Sequence, residues 1–303
     1  MLKVGLAGAG GISGAHIPAW EGMEGAELVA LCDIRRECLE KYPDKRIYTD
    51  FEEMLEKEQL DILDICLPTY LHADISIKAM ERGIHVLCEK PISLKEADIS
   101  RLYHAARANH VNFMVAQVLR FWPEYELVKD IYDSRKYGDL LSASMTRLGG
   151  IPKWSGDNWM LDESRSGLVP FDLHIHDLDF MVYAFGVPRK AQPHRSKRPD
   201  QDYLHVLYEY QDFFVTSEAS WYASPYPFTA NYRFQFEKAI VAYEKGECVI
   251  YEENGNTVYP LEKGSDAYAN EIQYFADCVR ENKFPDKVKE EELEAVVQIL
   301  SGL

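Results

Sequence analysis

The chain opens Leu2-Lys-Val-Gly-Leu-Ala-Gly8-Ala-Gly10-Gly11-Ile12-Ser13-Gly14, an apolar strand that runs straight into a glycine-rich turn. That order constrains the fold more than any composition does. A buried strand turns sharply on glycine, and the helix that opens after it presents unpaired backbone N–H groups to an anion. The next apolar run, residues 28–32, ends at Asp33. This is close to the ~20-residue spacing at which a carboxylate takes the hydroxyls of a ribose. A lone Gly-x-Gly is a weak signal, but between a strand and a helix, with the acidic group in place, it reads as a dinucleotide-binding βαβ unit. Ser13 stands where a third glycine is usual, with Gly14 beside it, and is small enough for close helix–strand packing. Candidate cofactor ligands are therefore Gly8, Gly10, Gly11, Ile12 and Asp33. A carboxylate at Asp33 suits the 2′-hydroxyl of NAD and repels the 2′-phosphate of NADP. Arg35 and Arg36 soften that repulsion, so NADP stays open as an alternative.

Short apolar runs at residues 4–7, 28–32, 62–67, 85–88 and 113–116 read as buried strands. Amphipathic runs at residues 15–23, 35–41, 51–58, 71–82 and 96–109 read as the helices between them, with Asp33 placed to cap the second. Such alternation predicts a doubly wound parallel sheet with helices on both faces. The style changes near Phe121-Trp122-Pro123. A helix is expected next, followed by strands at 140–147, 203–210, 213–221, 232–237, 248–252 and 257–261 that alternate polar and apolar residues. That is the mark of an antiparallel sheet with one face packed and one face open. Helices at 268–281 and 290–300 close the chain. The expected organisation is α/β: a Rossmann domain over residues 1–120 and a substrate-binding and oligomerisation domain over 121–303. Residues 149–166 carry little periodicity and hold Pro152, Trp154 and Trp159. They read equally as a pocket wall or as a surface excursion.

With 303 residues and 47% hydrophobic content, the chain can bury a sizeable core. A formal charge of −17 argues against nucleic acid or an anionic membrane as partner. No run is apolar and long enough to span a bilayer, and no basic, apolar leader precedes the first strand. The six cysteines form no C-x-x-C pair, and Cys32, Cys66 and Cys88 lie in apolar runs. A reducing, cytoplasmic setting is expected.

Two clusters carry chemistry. In the first, Glu89-Lys90-Pro91 ends the strand at 85–88, and ligands of open parallel sheets bind beyond the carboxyl ends of strands. An ammonium there can hydrogen-bond a substrate hydroxyl and steady the alkoxide that forms as hydride leaves. Pro68, Thr69 and His72, and further on Gln117 and Arg120, follow other strands and are candidates for the same edge or for a domain interface. The second cluster is Pro170-Phe-Asp172-Leu-His174-Ile-His176-Asp177-Leu-Asp179, with Pro170 suited to a first helical turn. At α-helical spacing Asp172, His176 and Asp179 share one stripe. His176 then serves as general base, since imidazole titrates near neutrality, and Asp172 orients the substrate or the imidazole. His174 points the other way and reads as a packed or capping residue. His-x-His diverges on a helix, and no zinc-like ligand spacing occurs, so no metal is expected. Asn158 and Trp159 offer an amide and an aromatic face suited to a polyol. Neither a G-x-S-x-G elbow nor a P-loop lysine occurs, which leaves hydrolase and kinase readings without support.

In order along the chain, Gly8-Ala-Gly10-Gly11-Ile12, Cys32-Asp33, Leu67-Pro68-Thr69-Tyr70-Leu71-His72, Glu89-Lys90-Pro91 and Asp172-x-x-x-His176-Asp177-x-Asp179 resemble the Gfo/Idh/MocA family of glucose–fructose oxidoreductases and inositol dehydrogenases. The last helices, around Glu271–Phe275, resemble it too. The resemblance implies a Rossmann domain followed by an α/β domain with a largely antiparallel open sheet. It implies NAD(P)-dependent oxidation or reduction of a sugar or polyol, with Lys90, Asp172 and His176 as catalytic residues and a homo-oligomer, dimer or tetramer, built through the open sheet face. Two departures stand out: Ser166-Gly167-Leu168 lies where paired glycines are frequent, and His174 where a small residue is common. The expected function is hydride transfer between a nicotinamide and a secondary hydroxyl. A dinucleotide-binding sensor without catalysis is the alternative.

Overall fold

In the computed structural model, residues 1–261 and 266–303 are described. By its contacts the chain divides into two units, residues 1–118 with 266–290, and residues 119–265 with 291–303. In the first unit, strands β1 (Leu2–Ala7), β2 (Ala26–Cys32), β3 (Arg46–Tyr48), β4 (Ile62–Ile65), β5 (His85–Glu89) and β6 (Phe113–Ala116) form one parallel sheet. Its order is β3-β2-β1-β4-β5-β6, so the strand order reverses between β1 and β4. Helices α1 (Ser13–Glu21), α2 (Phe51–Lys57), α3 (His72–Met80) and α4 (Glu96–Ala108) connect them. Val4, Leu6, Leu31, Ile62, Leu63, Val86 and Phe113 are buried on this sheet, which accounts for the unbroken apolar runs.

Two expectations change here. The helix expected at 35–41 is a single 3₁₀ turn, Arg36–Cys38. The Asp33 carboxylate accepts from the Arg35 amide at 2.8 Å, a side-chain-to-backbone bond two residues on that bends the chain into a turn. Three-residue β3, half-exposed, gives no periodic signal and was not foreseen.

The second unit is built on an eight-stranded sheet of order β14-β13-β12-β11-β7-β10-β9-β8. Its strands are β7 (Leu140–Gly150), β8 (Lys190–Arg198), β9 (Gln201–Glu209), β10 (Phe214–Tyr222), β11 (Thr229–Phe236), β12 (Ala239–Glu244), β13 (Glu247–Glu252) and β14 (Gly255–Tyr259). Only β7 and β10 run parallel; every other pairing is antiparallel. Helices α5 (Pro123–Ser134), α6 (Glu163–Ser166), α7 (Ile175–Phe185) and α9 (Glu290–Leu300) belong to the same unit. Alternate residues Ala143, Met145, Leu204, Val206, Val215 and Phe234 are buried. Tyr125 of α5 meets Phe180 of α7 edge-to-face at 4.9 Å and Tyr232 of β11 at 5.1 Å.

Helix α8 (Ala267–Arg280) departs from the expected division, which gives all of 121–303 to the second domain. It packs on α1 and is counted with the first unit. Ile272, Phe275 and Ala276 on its apolar stripe are wholly buried.

Candidate functional site

All six strands of the first sheet run the same way, so the segments after β1, β2, β4, β5 and β6 lie along one edge. The glycine turn, Asp33, Pro68-Thr69, Lys90 and Gln117 therefore share it. Gly8 has φ +98°, and a Cβ there would lie 2.4 Å from the Cys66 carbonyl oxygen. Only glycine lets β1 leave its strand this close to the end of β4. Ser13 is wholly buried and donates to the Gly10 carbonyl at 2.7 Å, so in the third glycine's place it closes the turn itself. Helix α1 starts there with no side-chain cap, and its Gly14 and Ala15 amides close short turns onto the Gly11 and Ile12 carbonyls at 3.2 and 2.9 Å. Asp33 is nearly buried and accepts from the Ala9 amide at 2.9 Å and from Arg35 Nε at 3.2 Å. Burial pushes this carboxyl up, but the Arg35 and Ala9 hydrogen bonds outweigh it and hold it below its ordinary value. A helix start without a side-chain cap, a glycine turn and an ionised carboxylate after β2 fit a dinucleotide with free ribose hydroxyls.

His72, expected among the cofactor ligands, is instead buried with both ring nitrogens on main-chain carbonyls. Nδ1 lies 2.7 Å from Pro91 O and Nε2 lies 2.7 Å from Leu67 O. Burial pushes its pKa down, against these two bonds, which favour the charged ring. Glu89 is likewise turned inward. Its Oε1 meets His16 Nε2 at 3.0 Å, and its Oε2 accepts from the Lys90 amide at 3.0 Å. Thr69 is buried, Pro68 half-buried, and Gln117 buried at 2% exposure, its Nε2 without a hydrogen-bond partner among the described residues. Lys90 is half-buried, and the Lys90–Pro91 bond is cis.

The sequence reading missed His16. In α1 its wholly buried ring bridges two carboxylates, with Nδ1 at 2.8 Å from Asp64 Oδ2 and Nε2 on Glu89. Trp20 Nε1 donates to the same Asp64 oxygen at 2.7 Å, and the Cys66 thiol to Oδ1 at 3.8 Å. Burial opposes the charge on His16, but Asp64 outweighs it and the pKa stands well above ordinary. Ligand atoms of His16, Asp64 and Cys66 lie within 4.8 Å of one another, a grouping able to hold a metal, though here the three hydrogen-bond among themselves. The available signal was an aspartate inside the apolar run Ile62-Leu-Asp64-Ile.

In the second unit the helix at Pro170 begins as a π turn, Pro170–His174, and continues as α7. Among residues 166–182 only Asp172 and His176 are not buried. Asp179, expected on their stripe, is turned inside. Arg120 grips it bidentately, Nε–Oδ2 at 2.9 Å and Nη2–Oδ1 at 2.7 Å, and also pairs with Glu292. Within α7, three residues at 3.6 per turn fall about 60° short of a full turn, which sets Asp179 on the packed side while His176 stays at its edge. Arg120 is thus a buried ion-pair residue of the second unit, not a cofactor ligand. Asp177 pairs with Arg147 at 2.8 Å; burial raises its pKa against Arg147, which lowers it. His174 is packed, as one reading held. Nε2 lies 2.6 Å from the Tyr208 hydroxyl and Nδ1 lies 3.3 Å from Ser217 Oγ, with burial and Arg147 lowering its pKa to about 3.

Gly167 and Leu168 both hold left-handed φ, +73° and +57°, which is why two glycines suit this place and why leucine is strained there. Residues 149–166 contain the end of β7, a 3₁₀ stretch Gly156–Leu161 and α6. Ile151 and Leu161 line a cavity of about 340 Å³ together with Leu168, Asp202 and Trp221. Asn158 is exposed at φ +54° and Trp159 is half-buried; neither lines that cavity.

Known proteins match these features. The family described as "Oxidoreductase family, NAD-binding Rossmann fold" matches residues 2–117, and the GFO/IDH/MocA C-terminal domain matches residues 125–246. The D-apiose dehydrogenase of Paraburkholderia graminis is 30% identical over 189 residues, 61% of this chain and 50% of that protein. The 2,7-anhydro-N-acetylneuraminate hydratase of Mediterraneibacter gnavus is 29% identical over 164 residues, 54% of this chain and 44% of that protein. The chain spans about half the length of the curated relatives it matches. A dehydrogenase from Chromobacterium violaceum shares the fold, with TM-score 0.85 over 100% of this chain and 94% of that one at 18% identity. No helix among the described residues is long and apolar enough to cross a membrane. A glycine turn that fits a dinucleotide and two successive domain matches lead to one assignment: the chain belongs to the Gfo/Idh/MocA oxidoreductase family.

Proposed function

We propose that this protein is an NAD(P)-dependent oxidoreductase that moves hydride between a nicotinamide and a secondary hydroxyl of a sugar or polyol. The observation that carries the reading is the pair Asp172 and His176, alone unburied in a stretch otherwise packed into the interior. The four other polar or charged side chains of the stretch, Ser166, His174, Asp177 and Asp179, are buried, and only these two reach toward solvent. NAD, when bound on the glycine turn and Asp33, supplies the hydride acceptor. His176 takes the hydroxyl proton, Lys90 steadies the developing alkoxide, and Asp172 orients substrate and imidazole. Pro68, Thr69 and Gln117 shape the cofactor edge, and Asn158 and Trp159 serve the substrate side. The first unit then holds cofactor, and the second binds substrate and forms a homo-oligomer through the open sheet face. There Thr146, His205, Glu218 and Asn231 lie side by side in register, each half-exposed. The cysteines are free thiols, in keeping with a reducing cytoplasm.

The test is NADH absorbance on a panel of sugars and polyols, with Lys90→Ala and His176→Ala each expected to cut turnover about 100-fold or more. Wild-type rates in both variants on a true substrate would remove this mechanism. The name of the M. gnavus relative favours a second reading, a hydratase of a sugar derivative, which predicts product without net change in NADH. Tight NAD binding with neither outcome on the whole panel would select the non-catalytic sensor.

A further inference from the structure

Lys90 has a neighbour on each side that a buried histidine holds. On the amino side, the Glu89 carboxylate accepts from the Lys90 amide with one oxygen and meets His16 with the other, and His16 is anchored on Asp64. On the carboxyl side, the Pro91 carbonyl lies 2.7 Å from His72, whose other nitrogen lies 2.7 Å from the Leu67 carbonyl. Both paths end on β4 or just past it, at Asp64 within the strand and Leu67 two residues beyond it. β4 is the strand beside the order reversal, where a ligand of such a sheet lies. His16, His72, Asp64 and Glu89 are at most 6% exposed, so water does not loosen these contacts.

We propose that His16 and His72 are positioning residues for Lys90, one fixing the residue before it through the Glu89 carboxylate and the other the residue after it through the Pro91 carbonyl. A lysine carries its charge on a flexible four-carbon stem, so the place of the ammonium depends on how firmly its own backbone is held. An imidazole wedged between two buried carboxylates adds little net stability compared with a well-packed apolar core. What it supplies is direction: each hydrogen bond fixes an angle as well as a distance. A misplacement of about 1 Å at a catalytic group costs on the order of a hundredfold in rate. The proposal rests on the reading of Lys90 as a catalytic residue.

The experiment compares His16→Gln, Glu89→Gln and His72→Gln with wild type in three readouts: NADH affinity, the split of kcat from KM, and deuterium uptake at residues 89–93. The expected result is kcat lowered about 10- to 100-fold with NADH affinity within about threefold, since the distortion is confined to Lys90. Uptake at 89–93 rises about tenfold or more, while β1 and β2 keep their protection. Should His16→Gln not fold, Glu89→Gln cuts the same path one bond later. Unchanged uptake at 89–93, or uptake rising evenly across the unit, overturns the proposal. Lys90→Ala keeps the two readings apart: wild-type turnover in that variant removes the catalytic role of Lys90, whereas uptake at 89–93 decides the brace by itself.

Discussion

His174 is the residue whose chemistry the fold suppresses most. Buried against Tyr208 and Ser217 and repelled by Arg147, it keeps a pKa of about 3 and stays neutral in the native state. In the unfolded chain an ordinary histidine takes a proton near pH 6.5. The unfolded state therefore binds more protons across the whole interval between those values, and native stability falls as pH drops through it. Above about pH 6.5 the residue adds no slope. His174→Gln retains a hydrogen-bonding group beside Tyr208 but cannot titrate. Urea unfolding between about pH 4 and 6 should lose up to ~1.4 kcal/mol per pH unit less in that variant than in wild type. Equal slopes would mean that His174 is protonated in the fold. His16 works in the opposite direction: its raised pKa gives a contribution fully present below about pH 6.5 and lost as pH rises through the folded value.

Elements of the second unit are tied together by buried cations, Arg147 between β7 and α7 and Arg120 more widely. Arg120 sits in the 3₁₀ turn Val118–Phe121 after β6, and it grips Asp179 of α7 and Glu292 of α9. Arg120→Ala leaves the buried Asp179 and the half-buried Glu292 without their partner and should cost about 3–5 kcal/mol in chemical denaturation. A loss below about 1 kcal/mol, as for an exposed pair, would contradict the burial described above. Which elements the sequence disclosed follows the same logic of burial. Runs such as Leu28–Cys32 and Phe113–Ala116 are legible because both faces of a parallel strand must be apolar. β8, Lys-Ala-Gln-Pro-His-Arg-Ser-Lys-Arg, is an edge strand with mostly exposed side chains, so no apolar period exists to read. The π turn at Pro170–His174 is also silent, because its spacing differs from an α turn by less than sequence pattern resolves. The same holds for the site. Glycines and Asp33 announce themselves through spacing, whereas the inward turn of Glu89 and His72 depends on partners in α1 and past β4 that no local pattern names.

At the scale of the whole molecule, the path of the chain does not follow its division into units. Residues 266–290 return to the first unit, and residues 291–303 go to the second. A fragment of residues 1–118 lacks α8, whose Ile272, Phe275 and Ala276 are buried against it. Exposing that much apolar surface removes about 1.5–3 kcal/mol for each large side chain, so this fragment should show a broad, low thermal transition. The same fragment joined through a short Gly-Ser linker to residues 266–290 should melt cooperatively, as read by circular dichroism and calorimetry. Two fragments with the same transition would mean α8 adds nothing to the first unit. The shared ending also sets an order of events at the ribosome. Neither unit can finish its core until residues 266–303 have been made, so the nascent chain carries two incomplete folds while the preceding 265 residues are synthesised.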